Sequence, residues 1–265
     1  MTEVLHALFV AWQHPETRRF HPVARLAQVQ GAGCADCFEF TYIEGARQAD
    51  GFQPFVSFPD LHQVYRSRSL FPMFTNRLIS SSRSDFPEYM AQLGLPPTTT
   101  SPITILSRSG GRRATDTLEL FPLPEFEPES GYRTWFWVHG LRHLAPVVQL
   151  QIEALAIGER VFPHCETDNP VDPTAIKLLS SVRGNWIGYM PSYLLDDAHT
   201  LQESCAFSHI SVDRINPLSS PIQQRVLCRL ESCWPKGFIP YSTPRYQPLS
   251  SEAAVIRPPS IELIC

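Results

Sequence analysis

The decapeptide Thr-Asp-Asn-Pro-Val-Asp-Pro-Thr-Ala-Ile, at residues 167–176, decides how the second half of this 265-residue chain folds. Asparagine and aspartate side chains hydrogen-bond to nearby backbone groups, and the two prolines stiffen the path of the chain, a combination typical of a tight turn. The apolar residues that begin at Ala175 then favour a buried strand. We therefore predict a turn that is followed at once by a strand of the core.

Two further motifs lie on either side of this turn. Residues 140–143, Gly-Leu-Arg-His, follow the aromatic segment 135–138. Residues 184–188, Gly-Asn-Trp-Ile-Gly, are followed by Tyr-Met-Pro at 189–191, which indicates a hairpin that leads into a helix with proline in its first turn. The three motifs, in this order, resemble the HIRAN domain over residues 134–230. The resemblance implies that residues 140–143 lie in a strand.

The HIRAN resemblance implies a small β-barrel-like domain with one or two short helices. Family members attached to DNA-remodelling helicases bind the 3′ end of single-stranded DNA, with aromatic side chains stacked on bases and an aspartate of the turn bound to the terminal hydroxyl. Asp172 matches that aspartate, and Arg142 matches a first-strand arginine that can pair with a phosphate. The resemblance implies a nucleic-acid site made of Arg142, His143, Asn169, Asp172 and Tyr189.

Three positions depart from the family pattern: Val171 precedes the aspartate where a tyrosine is common, His143 is the aromatic residue after the arginine, and Ser192 stands at a cationic position. Each base stacked on an aromatic ring contributes roughly 1–3 kcal/mol to single-strand binding, so the loss of a tyrosine bears directly on affinity. Asn169 and Asp172 can also serve only to build the turn. Trp186, between two glycines, is expected in the core rather than as a stacking platform.

Hydrophobic patterning predicts the elements of the first half. Three strands, at residues 5–12, 20–29 and 37–42, are expected to form a β-meander. A short helix is expected over residues 86–95, and two strands, 103–106 and 118–121, on either side of a glycine turn. Together with the strands of the second half, this pattern predicts an α+β protein that is mostly β.

Three aromatic segments in the first half carry a second resemblance. They are residues 38–42, 55–61 and 70–79, the last of which contains Leu-Phe-Pro-Met-Phe-Thr-Asn-Arg. They resemble the N-terminal subdomain of bacterial HipA-type kinases, which lacks catalysis and contacts the kinase core. The resemblance implies an alternative function, that of an antitoxin-like or regulatory protein whose partner is a HipA-like kinase.

The sequence predicts two small domains joined by a linker. The HipA-like domain would span residues 1–125, an acidic stretch at 126–133 would be the linker, and the HIRAN-like domain would span 134–230. Residues 231–265 are rich in proline and serine and are expected to form a loosely attached tail.

Composition and motif content restrict the function further. The formal net charge is −4 and no segment is strongly basic, so duplex binding driven by phosphate contacts alone is not favoured. Lys177 and Lys236 both lack a preceding glycine, which excludes a P-loop, and the sequence has no kinase or G-x-S-x-G motif. Cys34 and Cys37 form a C-x-x-C without a second pair at zinc-finger spacing. We therefore predict a binding protein that is not an enzyme and uses no metal or cofactor.

The seven cysteines are scattered and odd in number, which favours reduced thiols over a disulfide framework. The apolar runs are too short to cross a bilayer, and the first residues lack the pattern of a signal peptide. These features predict a cytoplasmic protein without a membrane partner. The HIRAN resemblance implies that its ligand is single-stranded nucleic acid or a DNA end.

Overall fold

The computed structural model describes residues 3–31, 34–113, 116–127, 131–170, 172–180, 184–204 and 208–256. These residues form two antiparallel sheets with short helices, which confirms the predicted α+β, mostly β class. The chain divides into two compact units. Unit 1 contains Met1–Phe86, Thr98–Leu123 and Gly237–Cys265, and unit 2 contains Pro87–Pro97 and Pro124–Lys236.

Unit 1 is built on a five-stranded antiparallel sheet that begins with the predicted meander. Its strands are β1 (Glu3–Gln13), β2 (Phe20–Gly31), β3 (Cys34–Tyr42), β4 (Tyr65–Ser67) and β5 (Leu118–Pro122), in the order β4-β3-β2-β1-β5. Apolar side chains of the loops and helices pack on one face of this sheet, with Phe40, Phe58 and Phe74 fully buried among them. Phe40 and Phe58 stack with their ring centroids 3.8 Å apart. The aromatic segments of the first half therefore form a hydrophobic core.

The short helices that precede β5 are α1 (Gly45–Gln48), α2 (Pro72–Thr75), α3 (Phe86–Gln92) and α4 (Pro102–Ser109). Helix α4 shows that the prediction of a strand at residues 103–106 is wrong. The Ser101 side chain accepts a hydrogen bond of 3.3 Å from the backbone N–H of Thr104, and Pro102 stands in the first turn. Gly110 ends the helix in the left-handed conformation, at φ +68°. These end signals outweigh the β-branched residues that favour a strand.

Residues 237–256, the described part of the C-terminal segment, pack within unit 1. The prediction of a loosely attached tail over residues 231–265 is therefore wrong for these residues. Tyr241 and Tyr246 are buried, and their ring centroids lie 5.1 and 5.2 Å from that of Phe9. Phe9 is itself almost completely buried. The segment thus covers apolar side chains of β1 that would otherwise face water.

A buried ion pair lies under the same segment. Nη2 of Arg25 is 3.3 Å from Oε1 of Glu39, and both side chains are almost inaccessible to solvent. The backbone N–H of Ala254 donates a hydrogen bond of 2.8 Å to Oε1 of Glu39, and the carbonyl of Ala254 accepts one of 2.5 Å from Arg25. Arg66 donates a further hydrogen bond of 2.9 Å to Oε2 of Glu39. Burial lowers the pKa of Arg25, and the charge of Glu39 opposes that effect. The C-terminal segment therefore supplies polar partners that these buried charges need.

Unit 2 is built on a seven-stranded antiparallel sheet. Its strands are β6 (Glu125–Glu127), β7 (Gly131–Trp137), β8 (Arg160–Cys165), β9 (Ile176–Ser180), β10 (Trp186–Tyr189), β11 (Ser208–Ile215) and β12 (Val226–Ser232), in the order β10-β9-β8-β11-β12-β7-β6. The helices α5 (Pro146–Ile152) and α6 (Leu195–Ser204) lie between strands. None of the helices in the described residues has the length and apolar character needed to cross a membrane.

The sheet of unit 2 departs from the barrel that the HIRAN resemblance implies. An isolated bridge pairs His139 with Tyr189, so the chain after β7 meets β10. Because this contact is a single bridge and not a ladder, the strands of the described residues do not close into a barrel.

The predicted linker at residues 126–133 belongs to this sheet. β6 and β7 pair as antiparallel neighbours, with Phe126 opposite Tyr132, and Tyr132 is buried. Residues 128–130 lie outside the described residues. The prediction of a linker is therefore wrong for residues 126–127 and 131–133, because they belong to paired strands of the sheet.

The cysteines are in two states. Among the described cysteines, Cys37 takes part in a disulfide and so does Cys233, whereas Cys165 and Cys228 are free thiols. The prediction of reduced thiols is wrong for the first two, because disulfide formation depends on which side chains meet in space and sequence spacing does not show this. The side chain of Cys34 lies outside the described residues.

Candidate functional site

The turn predicted from residues 167–176 lies between β8 and β9 and is held by its own groups. The backbone N–H of Asn169 donates a hydrogen bond of 3.0 Å to the backbone carbonyl of Glu166. The side-chain Oδ1 of Asn169 accepts a hydrogen bond of 3.1 Å from the backbone N–H of Asp172. The N–H of Ala175 then donates 3.0 Å to the carbonyl of Asp172. Asn169 and Asp172 therefore build the turn, whatever else they bind.

Asp172 is half-buried, and one of its two carboxylate oxygens already accepts hydrogen bonds. Its Oδ1 accepts hydrogen bonds from the backbone N–H and the hydroxyl of Thr174, at 2.9 and 2.6 Å. Across the described residues, every hydrogen bond to this carboxylate falls on Oδ1. Oδ2 is thus the oxygen that can accept a hydrogen bond from a ligand.

Glu166, at the start of the same turn, gathers three hydrogen-bond donors. Its Oε2 accepts 2.8 Å from the hydroxyl of Tyr189 and 2.7 Å from Nδ2 of Asn169, and its Oε1 forms an ion pair with the Lys177 ammonium. The hydrogen bond from Lys177 lowers the pKa of the Glu166 carboxyl most, and the bonds from Tyr189 and Asn169 lower it further against the effect of desolvation. The carboxylate is therefore ionised at neutral pH.

Strand register explains why these side chains meet. Tyr189 in β10 pairs with Lys177 in β9, and Lys177 pairs with His164 in β8. The isolated bridge places His139 on the other side of Tyr189. Directly paired residues point to the same face of a sheet, so these four side chains form a row across it. Glu166 directly follows β8 and reaches this row from the turn.

Tyr189 is held from several sides. Gly140 has φ of +78°, and a Cβ atom there would lie 3.1 Å from Cδ2 of Tyr189, so a residue with a side chain would be strained and would crowd the ring. The ring of Trp186 packs edge-on at a centroid distance of 5.3 Å, while its Nε1 donates 2.9 Å to the carbonyl of Gly188. Burial, together with the hydrogen bond to Glu166, raises the pKa of Tyr189 to about 12.

The same side of β8, β9 and β10 carries further aromatic rings and cations. Phe162, two residues along β8 from the partner of Lys177, is 44% exposed. The guanidinium of Arg160 lies 5.2 Å from the Phe162 ring centroid, and Nζ of Lys177 lies 5.4 Å from that of Trp186. We call this surface the aromatic face, which comprises Arg160, Phe162, Lys177, Trp186 and Tyr189. Trp186 is only partly buried, so it is available on this surface, contrary to its expected place in the core.

Arg142 and His143 stand apart from this network. Residues 140–143 are predicted as a strand, but Leu141–His143 form a 3-10 turn that starts from Gly140 at φ +78°. That prediction is wrong because the left-handed glycine ends the extended path. Both side chains are exposed, and Nε of Arg142 donates 3.1 Å to Nε2 of His143. In the part of the chain that the structure describes, no hydrogen bond or ion pair joins either residue to Glu166.

The structure thus connects three of the five predicted site residues. Asn169 and Tyr189 share one oxygen of Glu166, and Asn169 is bonded to Asp172. Sequence reasoning missed Glu166 and Lys177, although both flank the turn, where the two arms of a hairpin come together. The alternation of β9 also places Lys177 on the side opposite to the buried residues of that strand.

The remaining positions add no recognisable chemistry. Ser192 is half-buried at the start of the 3-10 turn Ser192–Leu194, and Val171 lies outside the described residues. Among the described residues, no group of three or more His, Cys, Asp or Glu is placed to hold a metal ion.

Comparison with known proteins finds limited similarity. No family model matches the chain, and no curated protein does. The HIRAN domain of human HLTF is a similar solved structure, with 22% identity over 38% of this chain and 74% of that chain, and a TM-score of 0.29. A Lactobacillus plantarum protein is similar at 22% identity over 37% of this chain and 98% of that chain, with a TM-score of 0.28. Similarity of this size assigns no function, and the HipA-like resemblance, which finds no support among these proteins, stays a prediction.

Proposed function

We propose that unit 2 binds single-stranded nucleic acid on the aromatic face and catalyses no reaction. The observation that carries this proposal is the placement of Phe162, Trp186 and Tyr189 beside Arg160 and Lys177 on one side of three paired strands. Single-strand binders combine such groups, because bases stack on the rings while cations attract the phosphates. The HIRAN resemblance of the sequence points to the same class of ligand.

The charges on this face predict moderate affinity. Lys177 is paired with Glu166, and Arg160 lies over Phe162, so both cations already have a partner. Each phosphate neutralised on a single strand adds about −0.7 to the slope of log K against log salt concentration. Two or three such contacts would give a slope of about −1.4 to −2.1, much shallower than that of a strongly basic protein.

The turn beside this face suits the 3′ end of a strand. Oδ2 of Asp172 can accept a hydrogen bond from a terminal hydroxyl, and Asn169 connects Asp172 to the carboxylate that holds Tyr189. A terminal phosphate would instead meet the negative charges of Asp172 and Glu166. We therefore propose that the preferred ligand is a single strand with a free 3′-hydroxyl.

Fluorescence anisotropy tests the proposal, with a short single-stranded DNA that ends in a 3′-hydroxyl against the same strand with a 3′-phosphate, at near-physiological salt. We expect tighter binding of the hydroxyl strand. Asp172→Asn keeps an oxygen for Thr174 but removes the charge, so this variant should fold and lose the preference. Asp168→Asn, at an exposed aspartate of the same turn, should keep it.

The two parts of the proposal fail separately. If the wild-type protein binds neither strand, the aromatic face is not a nucleic-acid site. If it binds both strands equally and Asp172→Asn changes nothing, stacking stands and end recognition does not.

A further inference from the structure

Unit 1 carries a second group of aromatic and cationic side chains, where the chain turns from β1 into β2. This group, which we call the hairpin-end patch, comprises Trp12, His14, Arg19, His21 and Arg245. The ring centroid of Trp12 lies 5.5 Å from that of His14 and 6.3 Å from that of His21, and the two imidazoles are 6.5 Å apart. Arg19 is exposed and the other four side chains are partly buried, with Nε and Nη2 of Arg245 inaccessible to solvent.

The hydrogen bonds of His14 fix which of its nitrogens points outward as a donor. Its Nδ1 accepts from the backbone N–H groups of Glu16 and Thr17, each at 3.2 Å. A ring nitrogen that accepts hydrogen bonds carries no proton, so the proton of the neutral ring lies on Nε2. In its neutral form His14 therefore offers an N–H donor away from the turn, and in its protonated form it adds a positive charge to the patch.

Positively charged side chains act on His21. Arg19 stands opposite His14 at the end of the hairpin, where the backbone N–H of His14 donates a hydrogen bond of 2.8 Å to the carbonyl of Arg19. Burial lowers the pKa of His21 most, and the charges of His14, Arg19 and Arg245 each lower it further. The acidic residue of the turn, Glu16, is exposed and is not among the groups that act on His21. Charges that disfavour a proton at this place favour an anion.

A metal ion is the other ligand that two neighbouring imidazoles can bind. Here Arg19 and Arg245 would repel a cation, and in the described residues no third His, Cys, Asp or Glu completes a metal-binding group. An anion fits the same side chains without either difficulty.

The backbone of the turn is also unusual. Arg18 has φ of +58°, a left-handed conformation that is uncommon for a residue with a side chain. Its N–H donates 3.0 Å to the carbonyl of His14, and its carbonyl accepts 2.7 Å from Nε2 of Gln13. These bonds hold the strained residue in place, and with it the path that leads to Arg19. Strain of this kind is found where a precise arrangement of side chains is needed.

We propose that the hairpin-end patch binds a phosphate group. Arg19 would pair with the phosphate oxygens, Nε2 of His14 would donate to one of them, and Trp12 would form an apolar wall beside them. The positive charge of Arg245 would add to the attraction without direct contact. The phosphate can belong to a small ligand or to the backbone of a nucleic acid. The site is made only of unit 1 residues and does not depend on the aromatic face of unit 2.

The test is NMR of the full chain, in which the imidazole C–H resonances of His14 and His21 are followed while inorganic phosphate replaces chloride at constant pH and ionic strength. We expect saturable shifts of both resonances. Arg19→Glu should weaken the apparent affinity about tenfold or more, because it reverses a charge that faces the phosphate. Arg68→Glu, the same reversal at another exposed arginine of unit 1, should leave it unchanged.

Shifts that grow linearly without saturation, or that are the same in Arg19→Glu, would overturn the proposal. A second titration identifies the source of the phosphate. If a single-stranded DNA without terminal phosphates suppresses the phosphate-dependent shifts, the patch binds nucleic-acid backbone. If the shifts persist, its ligand is a small phosphate compound. The two resonances report on this patch alone, so neither result depends on whether unit 2 binds DNA.

Discussion

The hydroxyl of Tyr189 donates a hydrogen bond of 2.8 Å to Oε2 of Glu166, and this contact joins β10 to the turn after β8. The same oxygen accepts from Asn169, whose Oδ1 holds the backbone of Asp172. A base stacked on Tyr189 and a hydroxyl bound to Asp172 would therefore be positioned relative to each other through one carboxylate. This arrangement gives Glu166 a central place in the proposed site, although it would contact no base itself.

Removing the charge of Glu166 should make Tyr189 easier to ionise. In Glu166→Gln we expect the pKa of Tyr189 to fall from about 12 towards its ordinary value, while burial keeps part of the shift. Tyrosinate absorbance measured against pH, with Tyr189→Phe to identify the contribution of this residue, checks the prediction. Glu203→Gln, at an exposed glutamate of the same unit, should leave the titration unchanged.

The raised pKa of Tyr189 also limits the stability of the folded protein at alkaline pH. Because the folded state raises the pKa of Tyr189, the stability that its protonated hydroxyl provides is complete below about pH 10, the ordinary value for tyrosine. It is lost as the pH rises through about 12. A Tyr189 titration in Glu166→Gln that matches the wild type would show that the hydrogen bond has no part in the shift.

Stacking on the aromatic face is best tested at Phe162. This ring is 44% exposed, so Phe162→Ala should leave the fold intact. If a base stacks there, the variant should lose roughly 1–3 kcal/mol of binding free energy, or about 5- to 150-fold in affinity. Anisotropy with single-stranded DNA measures the loss. Leu150→Ala, at a 59% exposed leucine on α5, is the matched control, and equal binding by the two variants would contradict stacking.

Local sequence patterns predict the strands of this protein where neighbouring residues alone determine them. The first three strands of unit 1 and the turn at 167–176 appear as expected, because alternation and turn chemistry act over a few residues. Residues 103–106 are mispredicted because end signals at Ser101 and Gly110 outweigh the preference of β-branched residues for strands.

Contacts between distant segments explain what the sequence does not show. Glu166 and Lys177 meet Tyr189 only because of strand register, and register depends on the pairing of whole strands. The burial of Tyr241 depends on Phe9, more than two hundred residues earlier in the chain. Neither relationship has a signal within one segment, so the central carboxylate and the packed C-terminal segment are both missed.

His21 should make unit 1 sensitive to acid. Its pKa is lowered in the folded state by burial and by His14, Arg19 and Arg245, so the folded protein binds a proton less readily than the unfolded chain. The associated stability is present above about pH 6.5, the ordinary value for histidine, and is lost as the pH falls through the lowered pKa. Urea unfolding at a series of pH values should show this loss in the wild type and less of it in His21→Gln. His62→Gln, at an exposed histidine, should behave like the wild type, and an unchanged acid response in His21→Gln would refute the assignment.

Glu39 should be among the most sensitive positions of unit 1. Glu39→Gln would leave Arg25 buried without a counter-charge, and removing one partner of a buried pair costs about 3–5 kcal/mol of unfolding free energy. Glu44→Gln removes the same charge from the exposed pair of Glu44 with Arg47, where the atoms are 3.7 Å apart, and should cost ~0–1 kcal/mol. Urea unfolding of both variants measures the difference.

A double variant distinguishes two causes of the lower stability expected for Glu39→Gln: the loss of the ion pair and the burial of an isolated charge. Arg25→Met with Glu39→Met removes both charges and keeps comparable apolar volume, so it should be more stable than Glu39→Gln alone. If the double variant is no more stable, the isolated arginine is not the cause. The loss would then come from the charge-assisted hydrogen bonds of 3.0 and 2.9 Å that Arg66 donates to Oε2 of Glu39, which a glutamine amide does not reproduce.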